Sequence, residues 1–81
     1  MSKEKERKAL IHKFYYVYRK LQEKHSLRYQ MHFDLKENNI IEIWEYKGRR
    51  KWRCICKINE TEEIVCYKKA IEMLEFYNGK D

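Results

Sequence analysis

The chain has 81 residues, of which 40% are charged and 15% are aromatic, and its formal net charge is +6. This length leaves room for one domain, residues 1–81, and the aromatic content argues against a disordered chain despite the many charges. No apolar run approaches the roughly 20 residues of a membrane-spanning helix. We therefore expect a single small folded domain without a membrane contact, whose residues 1–6 fray.

Three cysteines, Cys54, Cys56 and Cys66, bear on the cellular compartment. An odd number of cysteines favours reduced thiols over a disulfide framework. The first residues are charged and lack the apolar core of a secretion signal. The sequence therefore predicts a cytoplasmic protein.

The positive charge is concentrated in the middle of the chain. Residues 47–58 hold six basic groups and no acidic group, whereas residues 59–81 have a net charge of −3. Residues 1–25 are also basic, with a net charge of +5. The strongest positive field is therefore expected from one short central segment.

The first predicted element is a helix over residues 2–25. Leu10, Phe14, Val17 and Leu21 recur at the spacing of one helical face. Acidic residues in the first turn and basic residues in the last turn suit the helix dipole. The pattern predicts an amphipathic helix packed on a core.

A first strand is predicted from Leu27 to Leu35, because polar and apolar residues alternate strictly along it. Its apolar side holds Leu27, Tyr29, Met31, Phe33 and Leu35. Residues 36–39, Lys-Glu-Asn-Asn, are expected to form the turn that follows.

Two further strands, Ile40–Tyr46 and Lys51–Ile58, are predicted to form a hairpin. Gly48 and Arg49 are expected to be its two-residue turn, of type II′. This turn would place Ile43 opposite Cys54. The core face of the hairpin would then hold Ile41, Ile43, Trp52, Cys54, Cys56 and Ile58. The opposite face would hold Ile40, Glu42, Trp44, Tyr46, Lys51, Arg53, Ile55 and Lys57.

The last predicted element is a helix that begins near Asn59, since Asn59 and Glu62 have the spacing of a capping box. Its apolar stripe holds Ile64, Tyr67, Ala70, Ile71 and Leu74. Asn78-Gly79 is a helix stop. An alternative keeps residues 63–66 as a short fourth strand, with the helix beginning at residue 67.

These elements predict the α+β class, in the order α-β-β-β-α. A three-stranded antiparallel meander with one apolar face requires cover, and two amphipathic helices supply it. Both helices are expected to pack on the same face. The other face of the sheet is expected to stay open to solvent or to a partner.

This order of elements is similar to that of double-stranded-RNA-binding domains, and Lys68-Lys69-Ala70 resembles the basic helix start of that family. The sequence departs from the family elsewhere. The acidic segment 59–66 stands where the family has a glycine-rich loop, residues 36–39 lack its Gly-Pro-x-His, and the first helix is longer. The resemblance therefore concerns topology and carries no functional residue over.

The predicted hairpin is the strongest candidate for a binding site. Six basic residues crowd it: Lys47, Arg49, Arg50, Lys51, Arg53 and Lys57. The predicted pairing sets Trp44 near Arg53 and Tyr46 near Lys51. Cations for phosphates beside rings for bases are typical of nucleic-acid-binding surfaces. The competing interpretation is a solvated turn with a stabilising cation–π pair.

An apolar patch on the predicted open face favours a different function. It consists of Ile40, Trp44, Tyr46 and Ile55, and exposed patches of this kind mark protein contacts. The alternative function is therefore a protein-interaction module, such as a small inhibitor or regulator, including a phage-encoded one, or a homodimer.

Catalysis has no support in the sequence. No nucleophile elbow, phosphate-binding loop or metal-ligand spacing is found. Cys54 and Cys56 are predicted to share the core face as buried thiols, and Glu42 and Glu45 to lie on opposite faces of one strand. We therefore expect a non-enzymatic protein without catalytic residues, cofactor or metal ion.

Overall fold

The computed structural model describes residues 3–79 and has the predicted order of elements. The five elements are α1 (Lys3–Gln22), β1 (Leu27–Phe33), β2 (Asn39–Gly48), β3 (Lys51–Glu60) and α2 (Glu63–Gly79). The strands form one antiparallel sheet in the order β1-β2-β3. The predicted α+β class and the meander are confirmed. Residues 3–6, which were expected to fray, form the first turn of α1, and residues 1 and 2 lie outside the described range.

Both helices pack on one face of the sheet, as predicted. Phe14 and Leu21 of α1 and Leu74 of α2 are at most 1% exposed, and they share one core with Ile43 of β2. The predicted stripes of the two helices therefore face this core, except for Ile64, which is half-buried outside it. Within residues 3–79, neither helix is long and apolar enough to cross a membrane.

β1 ends two residues earlier than predicted. Asp34 terminates the strand because its Oδ1 accepts hydrogen bonds from the backbone N–H groups of Lys36 and Asn38, at 2.9 and 2.8 Å. The turn therefore covers residues 34–38. Leu35, which was expected on the apolar side, is fully exposed in this turn.

A β-bulge divides the β2–β3 hairpin. Ile43 pairs with Cys56, but the next residue, Trp44, pairs with Cys54, so that Ile55 has no partner across the ladder. A bulge residue of this kind shifts the side-chain alternation of its strand by one position. The predicted assignment of side chains to the two faces of β3 is therefore correct for residues 56–58 and wrong for residues 52–54.

The tip of the hairpin has a different turn from the predicted one. Gly48 pairs with Lys51, Lys47 is an extra residue in β2, and the two-residue turn is Arg49-Arg50. Both arginines have positive φ, 52° and 60°, which is the backbone of a type I′ turn. The predicted type II′ turn at Gly48-Arg49 is therefore wrong by one residue.

The boundary between β3 and α2 also differs from the prediction. β3 continues to Glu60, and Asn59 lies in the strand, where its side-chain amide donates to Asp34 Oδ2 at 3.2 Å. α2 begins at Glu63. The predicted capping box at Asn59 and the alternative fourth strand at 63–66 are both wrong, because the ladder extends to Glu60 and only residues 61 and 62 separate it from the helix.

The register assigns the residues of the face that the helices leave uncovered, which we call the open face. Its residues are Arg28, Gln30 and His32 of β1, Ile40, Glu42, Trp44 and Tyr46 of β2, and Trp52, Cys54, Lys57 and Asn59 of β3. The bulge brings Trp52 and Cys54 onto this face and removes Arg53 and Ile55 from it.

Candidate nucleic-acid interface

Three aromatic rings, which we call the aromatic cluster, lie together on the open face: Trp44, Tyr46 and Trp52. Tyr46 and Trp52 are cross-strand partners, and their ring centroids are 5.1 Å apart. Tyr46 is 40% exposed and Trp52 is 42% exposed. Trp52 was predicted on the core face, and the bulge at Ile55 explains why it is on the open face instead.

Arg28 extends the aromatic cluster onto β1. It lies opposite Trp44 in the register, and its guanidinium carbon is 5.5 Å from the centre of the Trp52 ring. The alternation of β1 places Arg28 on the polar side of its strand, which is a signal that could have found it. Its contact with Trp52 depends on the bulge, which the alternation does not reveal.

The side chains of β1 and of the hairpin border an open groove beside the aromatic cluster. The groove is lined by Arg28, Gln30, Trp44 and Trp52, which lie on the open face, and by Tyr29, whose ring lies on the opposite face against Phe14. Gln30 is exposed, and its side-chain amide has no hydrogen-bond partner among residues 3–79. The groove therefore combines planar rings, one cation and one amide with free donors and a free acceptor.

The orientation of Trp44 is fixed by a chain of hydrogen bonds. Its indole N–H donates to Glu42 Oε1 at 3.0 Å, and Glu42 Oε2 is 2.6 Å from His32 Nε2. The hydrogen bond to His32, the bond from Trp44 and the positive charge of Lys57 lower the pKa of Glu42. Glu42 therefore stays ionised and fixes the direction of the indole N–H.

The cations of the hairpin fall into two groups. Lys47 has an ion-pair partner, because its ammonium group lies 2.8 Å from the carboxylate of Glu45. Three residues at the turn, which we call the tip cations, are exposed and have no ion-pair partner among residues 3–79: Arg49, Arg50 and Lys51. Lys57 is likewise exposed and lies on the open face.

Arg53 does not lie on the open face, where the alternation of β3 predicted it. It pairs with Glu45 on the side that faces the helices, and the cross-strand partner of Trp44 is Cys54. The predicted neighbours Trp44–Arg53 and Tyr46–Lys51 are therefore wrong. Arg53 borders a separate groove, together with Ile55, Cys56, Met73, Phe76 and Tyr77.

The predicted apolar patch of the open face is smaller than expected. Ile40 is only 6% exposed, and Ile55 packs against the core instead of facing solvent. Trp44 and Tyr46 are the two members that remain accessible on the open face. The surface there is therefore aromatic and cationic more than aliphatic.

The thiols of Cys54 and Cys56 lie on opposite sides of β3, which corrects the prediction that they share a face. Cys54 is exposed on the open face, whereas Cys56 and Cys66 are buried. Burial raises the pKa of Cys56 to about 11 and also raises that of Cys66. Within residues 3–79, no group of three or more His, Cys, Asp and Glu side chains is arranged to hold a metal ion.

Glu45 is the buried carboxylate behind the aromatic cluster, 6% exposed on the helix-covered face. Besides Lys47, it contacts His25, whose Nδ1 is 3.1 Å from Oε2, and the hydroxyl of Tyr77. The hydrogen bond from Lys47 is the largest influence that lowers the pKa of Glu45, against the opposing effect of burial. This charged cluster supports the hairpin from the side opposite to the aromatic rings.

Comparisons of the chain with protein-family models, with curated proteins and with solved structures gave no match. A proposal for its function therefore depends on the geometry and charge of the open face.

Proposed function

We propose that this protein is a non-enzymatic nucleic-acid-binding domain that uses the open face and the tip of the β2–β3 hairpin. The observation that carries the proposal is the position of the exposed tip cations directly beside the aromatic cluster. Cations attract phosphates at long range, and rings stack on bases at short range. The three thiols are free, which supports a reducing compartment such as the cytoplasm as the place of action.

The backbone of the turn gives further support. Arg49 and Arg50 have φ values of 52° and 60°, in a turn where Asn, Asp and Gly are the favoured residues. A non-glycine residue with positive φ is held at a cost, and such residues cluster at functional sites. Two consecutive arginines at these positions favour a role for their charge over a role in stability.

The proposed division of labour follows from exposure. The tip cations and Lys57 would contact phosphates, since they are exposed without ion-pair partners among residues 3–79. Trp44 and Tyr46 would stack on bases. Lys47 and Arg53 would contribute mainly to the long-range field, because Lys47 is bound to Glu45 and Arg53 lies on the helix-covered side.

The proposal is tested by titrating labelled DNA and RNA oligonucleotides of about 12 nucleotides, single-stranded and duplex, at several salt concentrations. The affinity of the wild type should fall steeply as salt rises, because counterions are released from the phosphates. The plot of log K against log salt has a negative slope. The triple substitution Arg49→Gln, Arg50→Gln and Lys51→Gln should reduce the magnitude of this slope by about 2 to 3.

A matched control removes the same charge from the other side of the molecule. Lys8→Gln, Lys13→Gln and Arg19→Gln alter exposed residues of α1, and they should change the slope much less. Absence of binding at low salt, or equal loss of slope in both triple variants, would overturn the proposal. Circular dichroism checks that both variants keep the fold.

A contact with a second copy of the chain is the alternative function, and an observation away from the aromatic cluster favours it. β1 is an edge strand, and Met31 and Phe33 on it are 41% and 68% exposed. Edge strands with exposed apolar side chains pair readily with a second strand. Sedimentation equilibrium tests this function, which requires a dimer that Phe33→Ser dissociates.

A further inference from the structure

We infer that the groove between β1 and the hairpin holds an unpaired nucleobase, which makes the preferred ligand a single-stranded nucleic acid. This inference rests on the proposed function, whose phosphate contacts at the tip cations would serve single strands and duplexes alike. Its basis is the groove lined by Arg28, Tyr29, Gln30, Trp44 and Trp52. The side chains that project into it from the open face are those of Arg28, Gln30, Trp44 and Trp52, and their chemistry matches a flat ring with a polar edge.

Arg28 and Trp52 form a ready stacking platform. The guanidinium carbon of Arg28 lies 5.5 Å from the centre of the Trp52 ring, and Tyr46 packs against Trp52 at 5.1 Å. Unpaired bases stack on aromatic rings and on guanidinium planes. The contacts of Trp52 with Arg28 and Tyr46 restrain its ring before a base binds, which reduces the side-chain entropy lost on binding.

Trp44 borders the same groove with its ring held in place. Its indole N–H already donates to Glu42, so the ring surface is the part of Trp44 that stays available for a nonspecific contact. The hydrogen-bonded chain to His32 restrains this ring further. The groove is therefore preorganised on the β2 side as well.

Gln30 supplies the polar contact that a base edge requires. Its amide offers two donors and one acceptor, it is exposed on the open face, and it has no hydrogen-bond partner among residues 3–79. A base stacked in the groove would place its edge within reach of this amide. Gln30 would then discriminate between bases, whereas the rings would accept any of them.

A duplex cannot use this groove, because its base faces are covered by neighbouring base pairs. Duplex DNA would engage the tip cations through its phosphates and would leave the rings unused. The two ligand types therefore differ in their dependence on Trp52, which separates base stacking from phosphate binding in one experiment.

The experiment measures fluorescence anisotropy, at low salt, of labelled strands of about 12 deoxyadenosines or 12 deoxythymidines and of a labelled G·C-rich hairpin duplex, which stays paired at low salt. We expect the single strands to bind the full chain more tightly than the duplex. Trp52→Ala should weaken single-strand binding about 5- to 150-fold, as expected for the loss of one stacked base, and leave duplex binding unchanged.

A matched control and a second variant sharpen the test. Tyr16→Ala removes a ring on α1 that is 61% exposed, and it should leave single-strand binding unchanged. Gln30→Leu should change the ratio of the affinities for the two single strands without changing the salt dependence. Circular dichroism verifies the fold of each variant.

The outcomes separate the inference from the proposed function. If neither single strands nor duplex bind at low salt, the proposed function fails and the inference falls with it. If both bind equally and Trp52→Ala has no effect, the proposed function stands and the inference is overturned. If Trp52→Ala acts as expected while Gln30→Leu leaves the affinity ratio unchanged, the assignment of Gln30 is overturned.

Discussion

The two halves of the β2–β3 hairpin place their apolar and aromatic side chains on opposite faces of the sheet, although they belong to the same strands. We call residues 39–43 and 56–60 the base half, and residues 44–48 and 51–54 the tip half; Ile55 lies between them. In the base half the helix-covered face is apolar, with Ile41, Ile43, Cys56 and Ile58 buried. In the tip half the helix-covered face carries Glu45 and Arg53, and the open face carries the aromatic cluster.

This difference shows that one unpaired residue can exchange the two faces of a strand for every residue on one side of it. In a regular strand, successive side chains alternate between faces, and a shift of one residue inverts the whole pattern. Because Ile55 has no partner in the ladder, the inversion is confined to the tip half. The base half anchors the fold, and the tip half presents rings and cations to solvent.

The largest expected effect tests the base half as the structural anchor. Ile43 is 0% exposed, and Ile43→Ala should lower the free energy of unfolding by about 2 to 5 kcal/mol, through lost burial and a cavity. Urea denaturation measures this loss. The tip-half variant Tyr46→Ala serves as the comparison and should cost clearly less, because the ring is 40% exposed; similar losses at both positions would contradict the division into halves.

The second prediction concerns the buried charge of the tip half. Glu45→Gln should lower the free energy of unfolding at neutral pH by about 1 to 3 kcal/mol, the usual cost of losing hydrogen bonds to a charged group. The folded state lowers the pKa of Glu45 below its ordinary value of 4.5. Its ionised form therefore stabilises the fold above about pH 4.5, and this contribution is lost as the pH falls through the lowered pKa.

Urea denaturation of wild type and Glu45→Gln at pH 7 and at lower pH values checks the sign. The difference between the two proteins should shrink as the pH falls below 4.5. Asp34 and Glu42 also have lowered pKa values, so the comparison uses the difference between the proteins and not the wild type by itself. A difference that grows on acidification would contradict the assignment.

The third prediction separates stability from binding in the turn. Arg49→Asn with Arg50→Gly places favoured residues at the two positive-φ positions, and it should raise the free energy of unfolding by about 1 kcal/mol. The same change should weaken salt-dependent binding of oligonucleotides, because two tip cations are lost. Thermal unfolding measures the stability, and fluorescence anisotropy measures the binding. A variant that is more stable and binds oligonucleotides as well as the wild type would show that the two arginines have no role in binding.

The smallest expected effect is spectroscopic and tests the bulge itself. In a Trp44→Phe variant, Trp52 is the remaining tryptophan, and its exposure of 42% predicts efficient quenching by acrylamide. The bulge-free register that the sequence suggested would instead bury Trp52 against the core. Weak quenching would therefore argue against the bulge, and the unfolded protein provides the reference for full exposure.

Much of the fold was predictable because it depends on local periodicity. The helical spacing of Phe14 and Leu21 and the alternation of β1 identified elements that the structure confirms. The base half of the hairpin was also assigned to the correct faces, since the predicted and observed registers there differ by an even number of residues. An even shift moves pairs along the strand without exchanging its faces.

Prediction of the candidate site was less complete. Trp44, Tyr46 and the tip cations were identified from composition, and they lie on the surface as expected. Arg28, Gln30 and Trp52 were missed as members of the site. The alternation of β1 placed Arg28 and Gln30 on the open face, but their contact with the rings depends on Trp52, which was assigned to the wrong face.

The sequence by itself determined the order of elements, the faces of the helices and the basic character of the hairpin, because these follow from spacing and composition along the chain. The tertiary structure decided which face of the tip half carries the rings. Ile55 and Cys56 are consecutive, yet both border the groove beside Met73 and Tyr77 of α2. A regular strand cannot turn two successive side chains to one side. Burying both against α2 favours the bulge, and that gain exists only once the helix is packed on the sheet.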